Sequence, residues 1–284
     1  MYRVISGHLG WVTGLAVSAR HPYMFSAGLD KMVKCWDLEH NKVIRSYHGH
    51  LSGVYALALH PTLDLLMTGG RDSTCRVWDM RTKVQVFALS GHTNTVAAIV
   101  TEPTDPQVIT GSHDTTIRLW DLRKGVTQAT LTYHKKSVRA LAGHPHESTF
   151  VSAGADNIKK FKGPLVKTHS SADTPHPAPP PQRAIVNTLA VNDDGVLASG
   201  GDDGSLWFWD YNSGHCYQQV EPTLQPGSLE SEAGIYAAAF DATGSRLITC
   251  NADKTIGCFR PSEDATEASA PGLPYKPPSS IRRF

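Results

Sequence analysis

Four histidines at one spacing constrain this chain more than any other feature. His8, His50, His92 and His134 follow one another at intervals of 42 residues. The first three stand in Gly-His pairs, and the fourth follows Tyr133. An aspartate lies 22 residues after each histidine, at Asp30, Asp72, Asp114 and Asp156. A hydroxyl precedes each aspartate by four residues, at Ser26, Thr68, Thr110 and Ser152. Trp36-Asp37, Trp78-Asp79 and Trp120-Asp121 come six residues after the first three aspartates, whereas Phe161 comes five after the fourth. Two further units lack the histidine: Ser199, Asp203 and Trp209-Asp210, then Thr249, Asp253 and Phe259-Arg260. Gln182 and Ser231 take the histidine positions in these two. A repeat of this length is one supersecondary unit that cannot bury its own faces, so neighbours must stack. The chain spells six units.

Within a unit the apolar period is two, in short β-rich runs separated by turn residues. Val12–Val17, Tyr23–Ala27, Met32–Trp36 and Val43–Tyr47 are the four strands expected of the first unit. Four-stranded units that begin near Gly-His and end in Trp-Asp are the signature of a WD40 β-propeller. The expected fold is therefore all-β, with six four-stranded blades over residues 1–260 and a Pro-rich C-terminal tail over 261–284. Residues 2–6 align with the outer strand that precedes a Gly-His, and are expected to complete the last blade and pair its open edge. An incomplete or strained ring derived from a seven-bladed propeller is the alternative. The segment 163–183 holds six of the 18 prolines and reads as a solvent-exposed loop.

A histidine, an aspartate and a hydroxyl invite comparison with a nucleophilic triad. An enzyme needs one such set with its hydroxyl open to substrate. Here the set recurs, and takes threonine as readily as serine. A buried hydrogen-bond chain accounts for it better: the aspartate accepts from the histidine, the histidine from the hydroxyl, and the hydroxyl from the indole N–H. Complete tetrads are expected at His8/Ser26/Asp30/Trp36, His50/Thr68/Asp72/Trp78 and His92/Thr110/Asp114/Trp120, and an incomplete one at His134/Ser152/Asp156 with Phe161. Units five and six are expected to be less rigid. No catalytic residue, cofactor or metal is expected. His144-Pro145-His146 has no second ligand pair at zinc-like spacing, and no phosphate-binding glycine loop is present.

A formal charge of +1 excludes a polybasic arm as the main means of holding nucleic acid or membrane. Lys34, Arg76, Arg118 and Lys159 share one register and read as blade charges rather than an RNA stripe. Leu29, Arg71, His113, Ala155 and Asp202, each just before an aspartate, are expected on the rim of one face, with Arg71 and His113 as candidate partner contacts. The five cysteines form no C-x-x-C pair and read as small buried thiols in a reducing compartment. With no apolar run near the ~20 residues that span a bilayer, a soluble intracellular chain is expected.

Beyond the generic repeat, several stretches resemble one family. Asp30-Lys-Met-Val-Lys-Cys-Trp-Asp-Leu-Glu, Gly70-Arg-Asp-Ser-Thr-Cys-Arg-Val-Trp-Asp and Gly111-Ser-His-Asp-Thr-Thr-Ile-Arg-Leu-Trp-Asp-Leu resemble the propeller of the pleiotropic regulator 1 family. So do His134-Lys-Lys-Ser-Val-Arg-Ala, Asn187-Thr-Leu-Ala-Val-Asn, Gln225-Pro-Gly-Ser-Leu-Glu-Ser-Glu and Arg282-Arg-Phe. The resemblance implies a monomeric, nuclear, non-enzymatic scaffold of the spliceosome. Its implied partners are components of the nineteen-complex ubiquitin ligase assembly, with spliceosomal RNA as a further candidate. It also implies a seven-bladed propeller, from which one whole unit is missing at the join Gly10-Trp-Val-Thr-Gly-Leu15, and an N-terminal extension that this chain lacks. The alternative function is a substrate receptor of a cullin-4 ubiquitin ligase. It rests on Trp78-Asp79-Met80-Arg81 and Trp120-Asp121-Leu122-Arg123, with Arg81 and Arg123 as the adaptor contacts.

Overall fold

The computed structural model describes residues 4–103, 107–162, 182, 184–221, 227, 232–262 and 272. Among the described residues twenty-two strands form six antiparallel sheets, each built in chain order. Blade 1 is β1 (Val12–Val17), β2 (Tyr23–Gly28), β3 (Val33–Asp37) and β4 (Lys42–Tyr47). Blade 2 is β5 (Val54–Leu59), β6 (Leu65–Gly70), β7 (Thr74–Asp79) and β8 (Gln85–Ser90). Blade 3 is β9 (Val96–Thr101), β10 (Gln107–Ser112), β11 (Ile117–Asp121) and β12 (Val126–Leu131). Blade 4 is β13 (Val138–Gly143), β14 (Thr149–Gly154) and β15 (Ile158–Lys162). Blade 5 is β16 (Val186–Val191), β17 (Val196–Gly201), β18 (Leu206–Asp210) and β19 (Cys216–Val220). Blade 6 is β20 (Ile235–Phe240), β21 (Leu247–Asn251) and β22 (Ile256–Phe259). The fold is all-β and built of propeller blades.

Two hairpin turns recur in each complete blade, and the chemistry of each is set by an aspartate. After the relay aspartate the next residue takes a left-handed conformation: Lys31, Ser73, Thr115 and Lys254 at φ between 57° and 71°, with Gly204 at 82°. The carboxylate meets the cost of that conformation by accepting the N–H two residues on, as Asp114 does from Thr116 at 2.9 Å and Asp203 from Ser205 at 3.0 Å. The aspartate of each Trp-Asp pair closes the next turn in the same way. Asp37, Asp79 and Asp121 accept the N–H of Glu39, Arg81 and Arg123 at 2.8, 2.8 and 2.7 Å. A register shift just before Trp36, Trp78, Trp120 and Trp209 turns each indole inward to its blade's hydroxyl.

The chain divides into two compact units, residues 1–141 and 142–284. In the first, Phe25, Tyr47, Val54, Leu66 and Trp78 form one buried cluster and Met67, Val77, Leu89, Val108 and Trp120 another. Tyr47 ties blade 1 to blade 2 by donating its hydroxyl to the Met80 carbonyl at 3.0 Å. In the second, Ala190, Ala198, Leu206, Ile235 and Leu247 fill the space between blades 5 and 6.

Two expectations need correction. Among the described residues Val4–Ser6 form no strand, so the expected N-terminal outer strand is not formed there. Blades 4 and 6 show three strands each among the described residues, and the sequence that follows β15 lies outside them. The second correction concerns thiols: Cys35, Cys75 and Cys216 are buried, but Cys250 and Cys258 in blade 6 are exposed. Almost all of the expected loop 163–183, most of the tail 261–284, and Ser231 lie outside the described residues.

Candidate functional site

The structure brings the repeated polar residues together in each of the first three blades. In blade 3, His92 Nδ1 lies 2.8 Å from Asp114 Oδ2 and His92 Nε2 lies 2.8 Å from Thr110 Oγ1. Trp120 Nε1 lies 2.8 Å from the same hydroxyl. Blade 2 repeats this with His50–Asp72 at 3.0 Å, His50–Thr68 at 2.7 Å and Trp78–Thr68 at 2.9 Å. In blade 1, His8–Asp30 is 2.8 Å, and His8–Ser26 and Trp36–Ser26 are both 2.7 Å. The proton positions are dictated by the ends of the chain. Ionised aspartate only accepts, so Nδ1 carries the histidine proton; indole only donates, so the hydroxyl accepts from it and gives its own proton to Nε2. Every polar atom in the relay is thereby satisfied while buried.

Blade 5 solves the same problem without histidine. Trp209 Nε1 donates to Ser199 Oγ at 2.9 Å, and Ser199 donates to Gln182 Oε1 at 2.8 Å. Gln182 Nε2 donates to Ser205 Oγ at 2.9 Å, and Ser205 donates to Asp203 Oδ1 at 2.5 Å. Ser205, a residue that the histidine-based pattern does not single out, carries the connection from Gln182 to Asp203. In blade 4, His134 and Ser152 are buried at the corresponding positions, and Phe161 offers no indole donor. Blade 6 has lost more. Phe259 replaces the indole, and the buried Thr249 Oγ1 has no hydrogen-bond partner among the described residues. It lines a cavity of about 120 Å³ together with Ile235, Asn251, Asp253 and Phe259.

The relays set the charge states of their members. Burial by itself would raise the Asp114 carboxyl, but hydrogen bonds from Thr116, His92 and Thr93 hold it at about 2. Asp72 is likewise held at about 2, against burial, by His50, Leu51 and Thr74. Burial depresses the His92 imidazole below its ordinary value, against the pull of Asp114. The interior of blade 3 therefore holds a carboxylate beside a neutral imidazole.

The residues just before the relay aspartates share one backbone contact. Leu29, Arg71, His113 and Asp202 donate their N–H to the carbonyls of Trp11, Gly53, Thr95 and Ile185 at 2.9, 2.9, 3.0 and 2.9 Å. Arg71, His113 and Asp202 are exposed, whereas Leu29 and Ala155 are half-buried. Asp202 is held by Asn187 Nδ2 at 3.0 Å. The basic residues at a common register are engaged within their blades: Lys34 donates to the Gly7 carbonyl, and Arg76 to Gln85 at 2.6 Å. Arg118 lies over Trp120 at 6.0 Å, and Lys159 lies 3.8 Å from Asp156. Arg81 is exposed with its Nε 3.8 Å from Asp64, and Arg123 sits in the turn after Asp121.

His144 and its counterpart His60 have a separate role. Each Nδ1 accepts backbone N–H groups of the following turn, from His146 and Glu147 at 3.2 and 3.0 Å, and from Thr62 and Leu63 at 3.3 and 3.1 Å. Ser18 does the same through its hydroxyl, accepting from Arg20 and His21 at 3.4 and 3.3 Å. The 42-residue interval between Ser18 and His60 was the available signal for this turn-capping position.

The family description "WD domain, G-beta repeat" matches residues 1–37, 41–79, 83–121, 125–158, 178–210 and 224–260, well over half of the chain. The chain is a WD40-repeat protein. This WD40 chain is 62% identical over 138 residues to Protein pleiotropic regulator PRL2 of Arabidopsis thaliana, covering 49% of the chain and 27% of that protein. It is 48% identical over 141 residues to Pre-mRNA-splicing factor PRP46 of Eremothecium gossypii, covering 49% and 31%. It is 54% identical over 132 residues to Pleiotropic regulator 1 of Homo sapiens, covering 45% and 24%. The matched stretch spans about a quarter to a third of the length of these relatives. Among the described residues, no helix is long and apolar enough to cross a membrane.

Proposed function

We propose that this chain is a non-enzymatic protein-binding scaffold that acts in pre-mRNA splicing, and so works in the nucleus. The observation that carries the reading is its high identity to proteins named pleiotropic regulator and pre-mRNA-splicing factor. The relay geometry supports the absence of catalysis. Thr110 Oγ1, the group a triad would use as nucleophile, is buried, accepts from Trp120 and donates to His92, which leaves it no approach to a substrate.

The recognition surface lies on the turns that the relays hold. Arg71 and His113 stand exposed on turns anchored by backbone hydrogen bonds and suit contact with spliceosomal proteins of the nineteen complex, with RNA as a secondary contact. The cullin-4 reading of Arg81 and Arg123 gains no support from the relatives and is set aside.

The test is affinity capture of the tagged full chain from nuclear extract, with and without nuclease, read by mass spectrometry. Splicing proteins recovered in both samples support the scaffold, and their loss on Arg71→Glu with His113→Glu places the contact on that rim. Capture that vanishes with nuclease refutes direct protein binding, and an eluate without splicing proteins refutes the function.

A further inference from the structure

The relay of blade 6 lacks one link, and a cavity lies at the gap. Asp253 Oδ1 accepts from Thr255 Oγ1 at 2.5 Å, and Thr255 Oγ1 accepts from Asn251 Nδ2 at 3.1 Å. Blade 5 begins in the same way with Asp203, Ser205 and Gln182, and there Gln182 Oε1 goes on to accept the Ser199 hydroxyl at 2.8 Å. Blade 6 does not make that last bond. Asn251 Oδ1 and Thr249 Oγ1 are both buried, and neither has a hydrogen-bond partner among the described residues. Thr249 has no exposed surface at all.

The other blades show what belongs at the gap. Two residues before the relay aspartate, blades 1 and 2 have Gly28 and Gly70 where blade 6 has Asn251. A Cβ at Gly28 would lie 2.6 Å from Asp30 Oδ1 and 2.7 Å from His8 Nδ1. One at Gly70 would lie 2.6 Å from Asp72 Oδ1 and 2.9 Å from His50 Nδ1. A side chain at this position therefore meets both the aspartate and the Nδ1 edge of an imidazole. The histidine position of blade 6 holds Ser231, so the sequence supplies no ring. The cavity of about 120 Å³ is lined by Thr249 and Asp253, the counterparts of the two residues that hold His92, and by Asn251. Leu206, Ile235 and Phe259 give it apolar walls. A cavity of about 150 Å³ admits benzene, so this one has room for a five-membered ring. Asn251 Oδ1 can only accept, whereas the Thr249 hydroxyl can donate. A hydrocarbon would leave both groups unpaired.

We propose that this cavity binds a small neutral azole, a ring of the imidazole class, in place of the missing histidine. The ring N–H donates to Asn251 Oδ1, and the second ring nitrogen accepts the Thr249 hydroxyl. The bound ring links Asp253, Thr255 and Asn251 to Thr249 in one continuous relay, and so tightens β21 and β22.

Thermal unfolding of the full chain with imidazole at about pH 8.5, where the free ring is neutral, tests the proposal. At ten times the dissociation constant the melting temperature should rise by about 2–3 °C. N-methylimidazole keeps the acceptor and loses the N–H, and should give no rise. Thr249→Val should melt close to the wild type and show no response to imidazole. No rise for the wild type, an equal rise with N-methylimidazole, or a response retained in Thr249→Val would each overturn the assignment. Hydrogen exchange read by mass spectrometry locates the ring. Imidazole should slow exchange in peptides covering β21–β22 and leave those covering β10–β11 unchanged. Unaltered exchange in β21–β22, or equal slowing in both, contradicts binding at this cavity.

Discussion

Replacing Asp114 by alanine removes an acceptor from four donors at once. The carboxylate takes hydrogen bonds from His92 Nδ1 at 2.8 Å, Thr93 N at 3.1 Å, Thr116 N at 2.9 Å and Thr116 Oγ1 at 2.7 Å. These donors do not lose equally. Thr93 N–H faces solvent and rehydrates, so its share is small. His92 is buried, and its ring N–H has no water to turn to; a buried donor left unsatisfied costs roughly 1–3 kcal/mol. The half-buried Thr116 groups add about 1 kcal/mol on the same basis. The sum is about 2–4 kcal/mol, which for a chain of this size lowers the melting temperature by roughly 3–7 °C. Thermal unfolding followed by circular dichroism reads the effect. Asp121→Ala serves as the control, because its turn bond to Arg123 N is exposed and its loss should cost under about 1 kcal/mol. If Asp114→Ala melts with the wild type, or no lower than Asp121→Ala, the relay is not a stabilising unit and the reasoning fails.

Three other expectations arise from the relay chemistry. Ser205→Ala should destabilise blade 5 by about 1–2 kcal/mol in urea unfolding, because Gln182 Nε2 loses its partner; an unchanged midpoint would dismiss the glutamine relay. Thr249→Val should leave the protein unchanged or more stable by up to about 1 kcal/mol, since its hydroxyl is buried without a partner among the described residues. Thr110→Val should instead cost about 1–3 kcal/mol by stranding Trp120 N–H; the same sign for both substitutions would refute the distinction. Acid should unfold the chain in a defined window. Asp72 and Asp114 sit at about 2 when folded, below the ~3.9 of an unfolded aspartate, so their stabilisation is complete above about pH 5 and is lost as pH falls towards 2. The depressed His92 acts in the same sense, losing stability as pH falls from about 6.5. Stability measured against pH should drop on the acid side, and less steeply in Asp114→Asn.

The sequence carried the relays of blades 1 to 3 almost completely, because each member sits at a fixed interval and each has one possible partner of the right donor or acceptor type. Strand limits in the first unit were legible to within a residue, since the turns are built by aspartates visible in the pattern. Gln182 was legible as a substitution but not as a working member, because its connection to Asp203 runs through Ser205, a contact between side chains rather than a spacing.

The central claim is that each blade is held by its own polar relay and loosens where members are lost. Hydrogen exchange resolved by mass spectrometry on the full chain tests it blade by blade, because opening free energies are local. Peptides covering β2–β3, β6–β7, β10–β11 and β17–β18 should be the most protected, and those covering β21–β22, where Thr249 has no partner among the described residues and Phe259 replaces the indole, should exchange first. Protection of β21–β22 equal to that of β10–β11 would contradict the account.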